Sequence, residues 1–392
     1  MPQARPAASA MCSLLATACA VQIAAYSCFF NLTPFLPRVG LDLELDAGAL
    51  GALVGVGGIV ALLAQLPAGT GGDVHGRRPF FALGMLLALV GLALRSQAEH
   101  PLVLLLSQMA LGAALGIVST NAFALMAGGA RQGSAFGIVN ASISVGQVVG
   151  YLVAGTFGSW VGWRSMSLEM ALVPLVVLVV VLRVRALAFR PTRGVHQAGA
   201  IDIVHALSHP RRLMLAGLAA LTLGAGQGAC YLLPFAVQAQ ELGPLAAAIV
   251  LVPYVLGSVV AAPFSGVLSE RFGSSRVIVM ALLLGGLACL AAVTWGSSIW
   301  ALGACNVLIG VSVNTTLPVI SVLAVTMKVG RPIGAGTAIA GLRIGQSLGP
   351  FIGPTVAGAM LARSGVDAAW VALAACLLLS AVLHGLTKLL SS

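Results

Sequence analysis

Two charged side chains fall inside long apolar runs of the sequence, where charge is most able to do chemistry. Arg343 would lie about 20 Å from the start of its run if that run is helical. A guanidinium at that depth is costly, so it is expected either to bind an anionic ligand group or to pair with an internal acid. Glu169 lies one to two turns inside another run. It is interpreted either as a buried carboxylate that exchanges a proton or as a surface acid that pairs with Arg164.

Uncharged polar residues are scattered through the other apolar runs. Each one alone favours a hydrogen bond between helices, whereas together they could line a moderately polar cavity that binds a small molecule. This set comprises Asn121, Asn140, Gln147, Gln227, Tyr231, Tyr254, Asn314 and Gln346. His384, near the end of the last run, is expected to have a surface role.

One short polar segment, residues 69–78, separates the second and third apolar runs. It begins at Gly69 and contains Asp73, Gly76 and the adjacent Arg77 and Arg78. A turn this short between apolar helices must lie at a membrane surface. Asp73 can pair with arginines or with the positive end of a helix, which would bias one of two conformations. The alternative is a solvated charge that only helps to orient the chain, and the two arginines are interpreted mainly as such anchors.

Composition identifies the solvent of this chain as lipid. Of 392 residues, 59% are hydrophobic and only 8% are charged, with a mean hydropathy of +1.05. A soluble protein carries about 25% charged residues. The seven cysteines have no metal-ligand spacing, and no catalytic set or phosphate-binding loop is present. The sequence therefore predicts neither an enzyme nor a cofactor or metal. Since the cations lie in loops between apolar runs, their excess indicates topology rather than nucleic-acid binding.

Apolar runs predict twelve membrane-spanning helices, each of about 20 residues or more. They lie near residues 11–36, 47–68, 79–96, 101–127, 133–158, 163–187, 213–238, 244–266, 275–296, 298–326, 331–361 and 367–390. The fold is accordingly an all-α membrane protein. Its predicted parts are a six-helix bundle over 1–187, a cytoplasmic linker over 188–212 and a second six-helix bundle over 213–392.

The loop charges are asymmetric between the two membrane sides. Most cations fall on the side of the termini, and four arginines are expected in outer loops: Arg38, Arg95, Arg164 and Arg363. The positive-inside tendency then places both termini in the cytoplasm, in a multi-pass protein of the cytoplasmic (inner) membrane.

The two halves repeat one another at a nearly constant spacing. A glycine series in the fifth predicted helix returns 199 residues later in the eleventh, and residues 266–273, with Glu270 and Arg271, repeat the polar segment after 197 residues. The glycine series consists of Gly137, Gly146, Gly150 and Gly155, and its repeat of Gly336, Gly345 and Gly349, followed by Pro350. A duplicated six-helix unit is typical of transporters whose site lies between the halves. The glycines are expected to give close helix contact where the halves slide.

These motifs make the chain resemble the major facilitator superfamily over essentially its whole length. Gly69, Asp73, Gly76, Arg77 and Arg78 match the loop motif of that family, and the first glycine series looks like the fifth-helix motif of its drug:proton antiporter branch.

The chain also departs from the family pattern at three positions. Val74 stands where the usual loop arginine would be, and Tyr151 replaces a proline. Gln108 replaces a fourth-helix arginine that is implicated in proton coupling in relatives.

The sequence and the resemblance together favour a secondary transporter that works by alternating access. The preferred function is proton-coupled efflux of small hydrophobic or drug-like molecules, with Glu169 as coupling acid and Asp73 in the gate. One alternative is uptake or exchange of a small organic anion at Arg343. Another, of a different class, is a non-transporting membrane receptor or scaffold. The resemblance implies a monomer.

Overall fold

The computed structural model describes residues 8–126, 132–184, 209–326 and 335–389, and this part of the chain is helical throughout, without a strand. A 3-10 turn at Thr33–Phe35 follows the first helix. The helices, in chain order, are α1 Ala8–Phe30, α2 Leu36–Asp42, α3 Ala47–His75, α4 Arg77–Ser96, α5 Pro101–Met126, α6 Gln132–Thr156, α7 Gly158–Met170, α8 Leu172–Arg183, α9 Pro210–Gln238, α10 Pro244–Phe272, α11 Ser274–Trp295, α12 Ile299–Thr326 and α13 Ala335–Leu389.

Twelve membrane crossings account for these helices. Eleven stretches within the described residues are long and apolar enough to span a bilayer. The last of them has 45 residues, which is about 68 Å of helix and far more than one crossing of about 30 Å requires. Gly365, at φ +86°, interrupts α13 and divides it into two spanning segments. The predicted all-α fold with twelve helices in two pseudo-symmetric bundles is thus confirmed.

The duplication is also visible in the backbone. In the described part of the chain six residues have positive φ, and they form three pairs separated by about two hundred residues. The pairs are Glu44 (54°) with Glu241 (61°), Gly76 (87°) with Gly273 (84°), and Gly162 (83°) with Gly365 (86°). Since L-residues seldom adopt this conformation, equivalent turns at equivalent positions are strong evidence of a repeated unit.

Two predicted boundaries are wrong. The first helix ends at Phe30 rather than near 36, because Pro34 and Pro37 follow and proline disfavours the helical conformation of its preceding residue. Residues 69–75 are not a turn either. They form the last turns of α3, and Gly76 alone breaks the helix before α4 begins.

The chain forms two compact units that do not coincide with the simple halves. Unit 1 contains Met1–Leu32 and Val60–Val195, and unit 2 contains Thr33–Ile59 and His196–Ser392. The first part of α3 therefore belongs with unit 2. Most of the predicted linker over 188–212 lies outside the described residues, and the boundaries at 187 and 213 stay predictions.

The repeated glycines bring helices of one unit close together, and their proposed part in sliding of the halves stays a prediction. In unit 1, Gly146 and Gly150 place α6 directly on α1, since a Cβ at these positions would lie 2.8 Å from Ile23 O and 2.7 Å from Ser27 O respectively. Gly155 is also buried. Gly137 has no atom within 4 Å of an added Cβ, so the expected close contact does not form there.

Unit 2 repeats this arrangement. Gly349 brings α13 onto α9, where an added Cβ would lie 2.9 Å from the backbone nitrogen of Gly224, and Gly345 meets the carbonyl of Ala216. The side-chain surroundings of Gly336 lie outside the described residues. Because α6 and α13 pack on α1 and α9 in the same way, these glycines are elements of each unit's internal frame.

Candidate functional site

The most connected polar group in unit 1 lies where α3 gives way to α4. We call it the hinge cluster and define it as Gly69, Gly72, Asp73, Arg77 and Asn121. The Arg77 guanidinium forms an ion pair with Asp73 one turn earlier and donates to Asn121 Oδ1 at 3.0 Å. It also reaches Gly69 O at 3.5 Å. Arg77 thus links the end of α3 to α5, which is more than the anchoring role expected from the sequence.

Asn121 is the centre of the hinge cluster, rather than a residue placed for ligand binding. Its side chain is fully buried, and its amide nitrogen donates to Ala68 O at 3.2 Å and to Ile117 O at 2.9 Å. Gly72 leaves the space for this arrangement, since a Cβ there would lie 2.7 Å from Arg77 Nη1 and would overlap Asn121 Oδ1. Both amide hydrogens and the oxygen of this buried side chain are thus bonded inside the protein, so Asn121 does not line a cavity in this structure.

The second arginine and the repeated segment behave differently. Arg78 donates to Leu182 O, which ties the start of α4 to the end of α8. In unit 2, Glu270 and Arg271 are both exposed and, within the described residues, form no ion pair, although Arg271 lies 5.5 Å over the ring of Phe272. The backbone of the hinge is therefore duplicated, but its hydrogen-bond network is not.

Unit 2 contains a second close contact, between the first part of α3 and α13. Three α3 glycines, each three or four residues from the next, face this contact. A Cβ on Gly55 would lie 3.0 Å from Phe351 O and one on Gly58 would lie 3.0 Å from Pro350 Cβ, whereas one on Gly51 would overlap Pro354 O. The Tyr231 hydroxyl donates to Ala47 O at 2.6 Å and fixes the start of α3 to α9.

Some predicted polar candidates in unit 2 do come together. Asn314 on α12 donates to Ser258 Oγ at 2.6 Å, and Ser258 in turn donates to Tyr254 O at 2.9 Å on α10. Tyr254 is buried, whereas Gln227 and Gln346 are half-buried. Asn314, Ser258 and Tyr254 thus join α12 to α10 within the unit.

A repeated motif on α1 and α9 is the signal that the sequence reasoning missed. Glutamine, tyrosine and phenylalanine recur at four-residue intervals, which places them on one face of a helix. The motif, which we call the Gln-Tyr-Phe ladder, consists of Gln22, Tyr26 and Phe30 on α1 and of Gln227, Tyr231 and Phe235 on α9, 205 residues later. Aligning the first helix of each half would have found it.

The two ladders differ in their surroundings. On α1 the rings of Tyr26 and Phe30 are stacked with centroids 6.1 Å apart, and both side chains are half-buried. Ser119 donates to Gln22 Oε1 at 3.2 Å and lies 3.4 Å from the Tyr26 hydroxyl. On α9 the rings of Tyr231 and Phe235 are 5.3 Å apart and tilted, and Tyr231 is buried. The α1 ladder therefore has two half-buried aromatic rings, whereas Gln22 is fully buried beside Ser119.

The charged candidates are not enclosed. Arg343 is exposed on α13, and its role stays a prediction. Glu169 is exposed beside Leu168 and Leu172, which are also exposed, so of its two interpretations the carboxylate buried within the protein does not hold. Its helix turns a different face, with Met166 and Met170, toward the protein.

The remaining α6 candidates lie in less enclosed positions. Asn140 is exposed and Gln147 is half-buried. Neither forms the kind of network that surrounds Asn121.

Two ionisable residues are buried against expectation. His384 is 3% exposed and lies 2.6 Å from Ser275 Oγ through Nε2, because α11 packs against the end of α13. Arg95, expected in an outer loop, is fully buried in the last turn of α4. It donates to Asn31 Oδ1 at 2.5 Å and to Cys28 O at 3.2 Å. The burial of these two residues could not be predicted from the sequence, because residues near helix ends are equally compatible with a surface position.

Known proteins similar to this chain are membrane transporters. A curated relative, "Multidrug resistance protein MdtG" from Enterobacter lignolyticus (strain SCF1), is 24% identical over 315 residues, which is 78% of this chain and 73% of that protein. A bacterial homologue of the human lysosomal transporter Spinster, solved in an inward-facing and unoccupied conformation, shares the fold with a TM-score of 0.81. It has 16% identity, and the match covers 97% of each chain.

The crystal structure of a mutant of the nucleoside transporter NupG has a TM-score of 0.77 and 14% identity, over 95% of this chain and 99% of that one. At such identities the solved structures establish the fold alone. The family model of the Major Facilitator Superfamily matches residues 18–255 and again 215–390, and so accounts for both halves of the duplication. The chain therefore belongs to the Major Facilitator Superfamily of membrane transporters.

Proposed function

We propose that the protein is a proton-coupled exporter of small, largely apolar molecules, acting as a monomer in the cytoplasmic membrane with both termini in the cytoplasm. Its family makes it a transporter, which leaves the receptor or scaffold interpretation without support. Efflux is supported by the similarity to a curated relative that is named a multidrug resistance protein.

The α1 ladder is the observation that carries the proposed class of cargo. Its half-buried aromatic rings can stack on a planar apolar molecule, and such ring pairs contribute about 0.5–1.5 kcal/mol beyond their buried area. Because α1 contains no acidic residue, it provides no counter-charge for a cationic drug. A neutral aromatic molecule suits this surface best.

Alternating access is supported by two features that favour particular conformations. The contact between the α3 glycines and α13 depends on backbone atoms approaching closely, so it is either fully formed or lost. The hinge cluster holds the other end of α3 against α5 through Arg77 and Asn121. We propose that the α3–α13 contact closes one side of the membrane, while the hinge cluster, with Asp73, controls the other.

Glu169 is the proposed site of proton exchange. It lies seven residues beyond the break at Gly162, which is about 10 Å along the helix. A charged side chain within the hydrocarbon costs about 2.5–3.5 kcal/mol, so the carboxylate would take up a proton there and release it where it meets water, with the proton gradient driving the cycle.

The expected result in proteoliposomes is dye movement driven by an imposed pH gradient. A neutral planar dye should accumulate only with the protein present, and a protonophore should abolish the accumulation. Glu169→Gln should reduce gradient-driven flux about tenfold while leaving downhill exchange intact, because the neutral amide cannot exchange a proton. Glu99→Gln, at an exposed loop acid, is the matched control. Flux that does not depend on the imposed pH gradient would contradict the antiport proposal.

Transport of a small organic anion is the second candidate, because Arg343 is an exposed cation within a spanning helix. Under this alternative, Arg343→Gln should abolish flux of a small carboxylate probe and spare that of a neutral dye. Flux assays of both probes in the same vesicles separate the cases. Equal loss of both fluxes would indicate that Arg343 supports the structure rather than binding cargo.

A further inference from the structure

Arg95 lies at the end of α4 with no exposed side-chain surface. Only one of its three side-chain nitrogens is fully engaged, since Nη1 donates to both Asn31 Oδ1 and Cys28 O. Nε and Nη2 are buried and donate to no protein atom. A buried donor without an acceptor is destabilising, and more so when it is charged.

The charge of Arg95 is also incompletely balanced. In the described part of the chain Arg95 forms no ion pair with a carboxylate. The described acids of unit 1 are Asp73, which pairs with Arg77, and the exposed Glu99 and Glu169. Cys28 O lies in the last turn of α1, where the helix dipole provides about half a negative charge. This contact is favourable but brings no full negative charge, so the guanidinium lacks a counter-ion in a buried site.

Two neighbouring groups add further donors. The amide nitrogen of Asn31 is buried and unpartnered, and it belongs to the same planar amide whose oxygen binds Arg95. The Ser107 hydroxyl on α5 is also buried without a partner. Ser107 lies close to α4, because its carbonyl would be 3.2 Å from a Cβ on Gly91, one turn before Arg95. Three side chains, from α4, α5 and the turn that follows α1, thus have donors to offer.

We propose that Arg95, Asn31 and Ser107 form a binding site for a small monovalent anion of halide size. An anion would accept hydrogen bonds from these groups and neutralise the remaining charge, which a water molecule cannot do. Because Arg95 and Asn31 are fully buried, the site excludes an organic acid, which would need an open cavity. The site lies within unit 1 and does not depend on the proposed cargo, direction or coupling.

Equilibrium binding of radioactive chloride to the purified full chain tests this proposal. We expect saturable binding of about one chloride per chain, displaced by bromide but not by gluconate. Arg95→Gln, which keeps a polar hydrogen-bond donor but removes the charge, should weaken binding about tenfold or more, since a charge-assisted hydrogen bond is lost. Arg38→Gln is the matched control, because Arg38 is an exposed arginine paired with Asp42. It should leave binding unchanged.

A thermal-shift series keeps the proposal testable if Arg95→Gln does not fold. Chloride should raise the apparent stability of the unmodified protein relative to gluconate at equal ionic strength, because ligands that bind the folded state stabilise it. Asn31→Ala, which retains Arg95, should weaken this shift. Equal stability in chloride and gluconate would mean that the site holds ordered water only, and would overturn the proposal. Chloride binding that survives Arg95→Gln would overturn it as well.

Discussion

Gly51→Val is expected to lower transport severely by preventing the close approach of α3 to α13. A Cβ on Gly51 would overlap the carbonyl oxygen of Pro354, and a backbone atom cannot move aside as a flexible side chain could. Overpacking of this kind costs about 1–3 kcal/mol, which corresponds to about a 5- to 150-fold shift between two conformations. Vesicle flux should fall accordingly, and spin-label distances between α3 and α13 should lengthen.

Gly217→Val on α9 is the matched control for this substitution. It makes the same change within a helix, at a glycine whose added Cβ meets no atom within 4 Å. The control should therefore retain flux and folding. If Gly51→Val transports as well as the control does, the α3–α13 contact is not part of the transport cycle.

Asn121→Ala is expected to loosen the hinge cluster, with a loss of both stability and flux. The substitution removes three hydrogen bonds of a fully buried side chain and leaves Arg77 Nη1, Ala68 O and Ile117 O without this partner. Ala68 O and Ile117 O keep their helical partners, but the lost bond to a charged guanidinium costs about 1.5–3 kcal/mol. The melting temperature in detergent and the vesicle flux should both fall clearly.

Asn140→Ala controls for loss of an amide, because Asn140 is exposed on α6. A double-mutant cycle with Arg77→Gln isolates the contact itself. Neighbours in one network typically couple by about 0.5–3 kcal/mol, so the double variant should be less destabilised than the sum of the single variants. Strict additivity would show that Asn121 and Arg77 act independently, contrary to the role given to the hinge cluster.

The hinge illustrates how far sequence reasoning can reach. The segment from Gly69 to Arg78 could be recognised as a family motif, because its glycine and charge spacing is local. Its partner Asn121 is 44 residues away from Arg77, and no periodicity connects the two positions. Asn121 was therefore grouped with cavity residues, and the buried bond that defines its role appeared only when α3 and α5 were packed together.

The burial of charged residues could not be predicted from the sequence either. Arg95 was expected in an outer loop, since it lies at the end of an apolar run, and Glu169 was considered for burial, since it lies inside one. The structure reverses both placements, with Arg95 fully buried and Glu169 exposed. A sequence gives distance along a helix but not which helices cover its faces, and coverage is what decides burial.

The sequence by itself determined the membrane solvent, the twelve spans and the duplication, because these depend on composition and on spacing along the chain. Tertiary structure alone decided the contacts of the repeated glycines. Gly146 and Gly345 pack helices inside a unit, whereas Gly51 and Gly55, which belong to no predicted motif, receive the backbone of α13. A glycine permits close approach on any side, and only the packed neighbours determine which approach occurs.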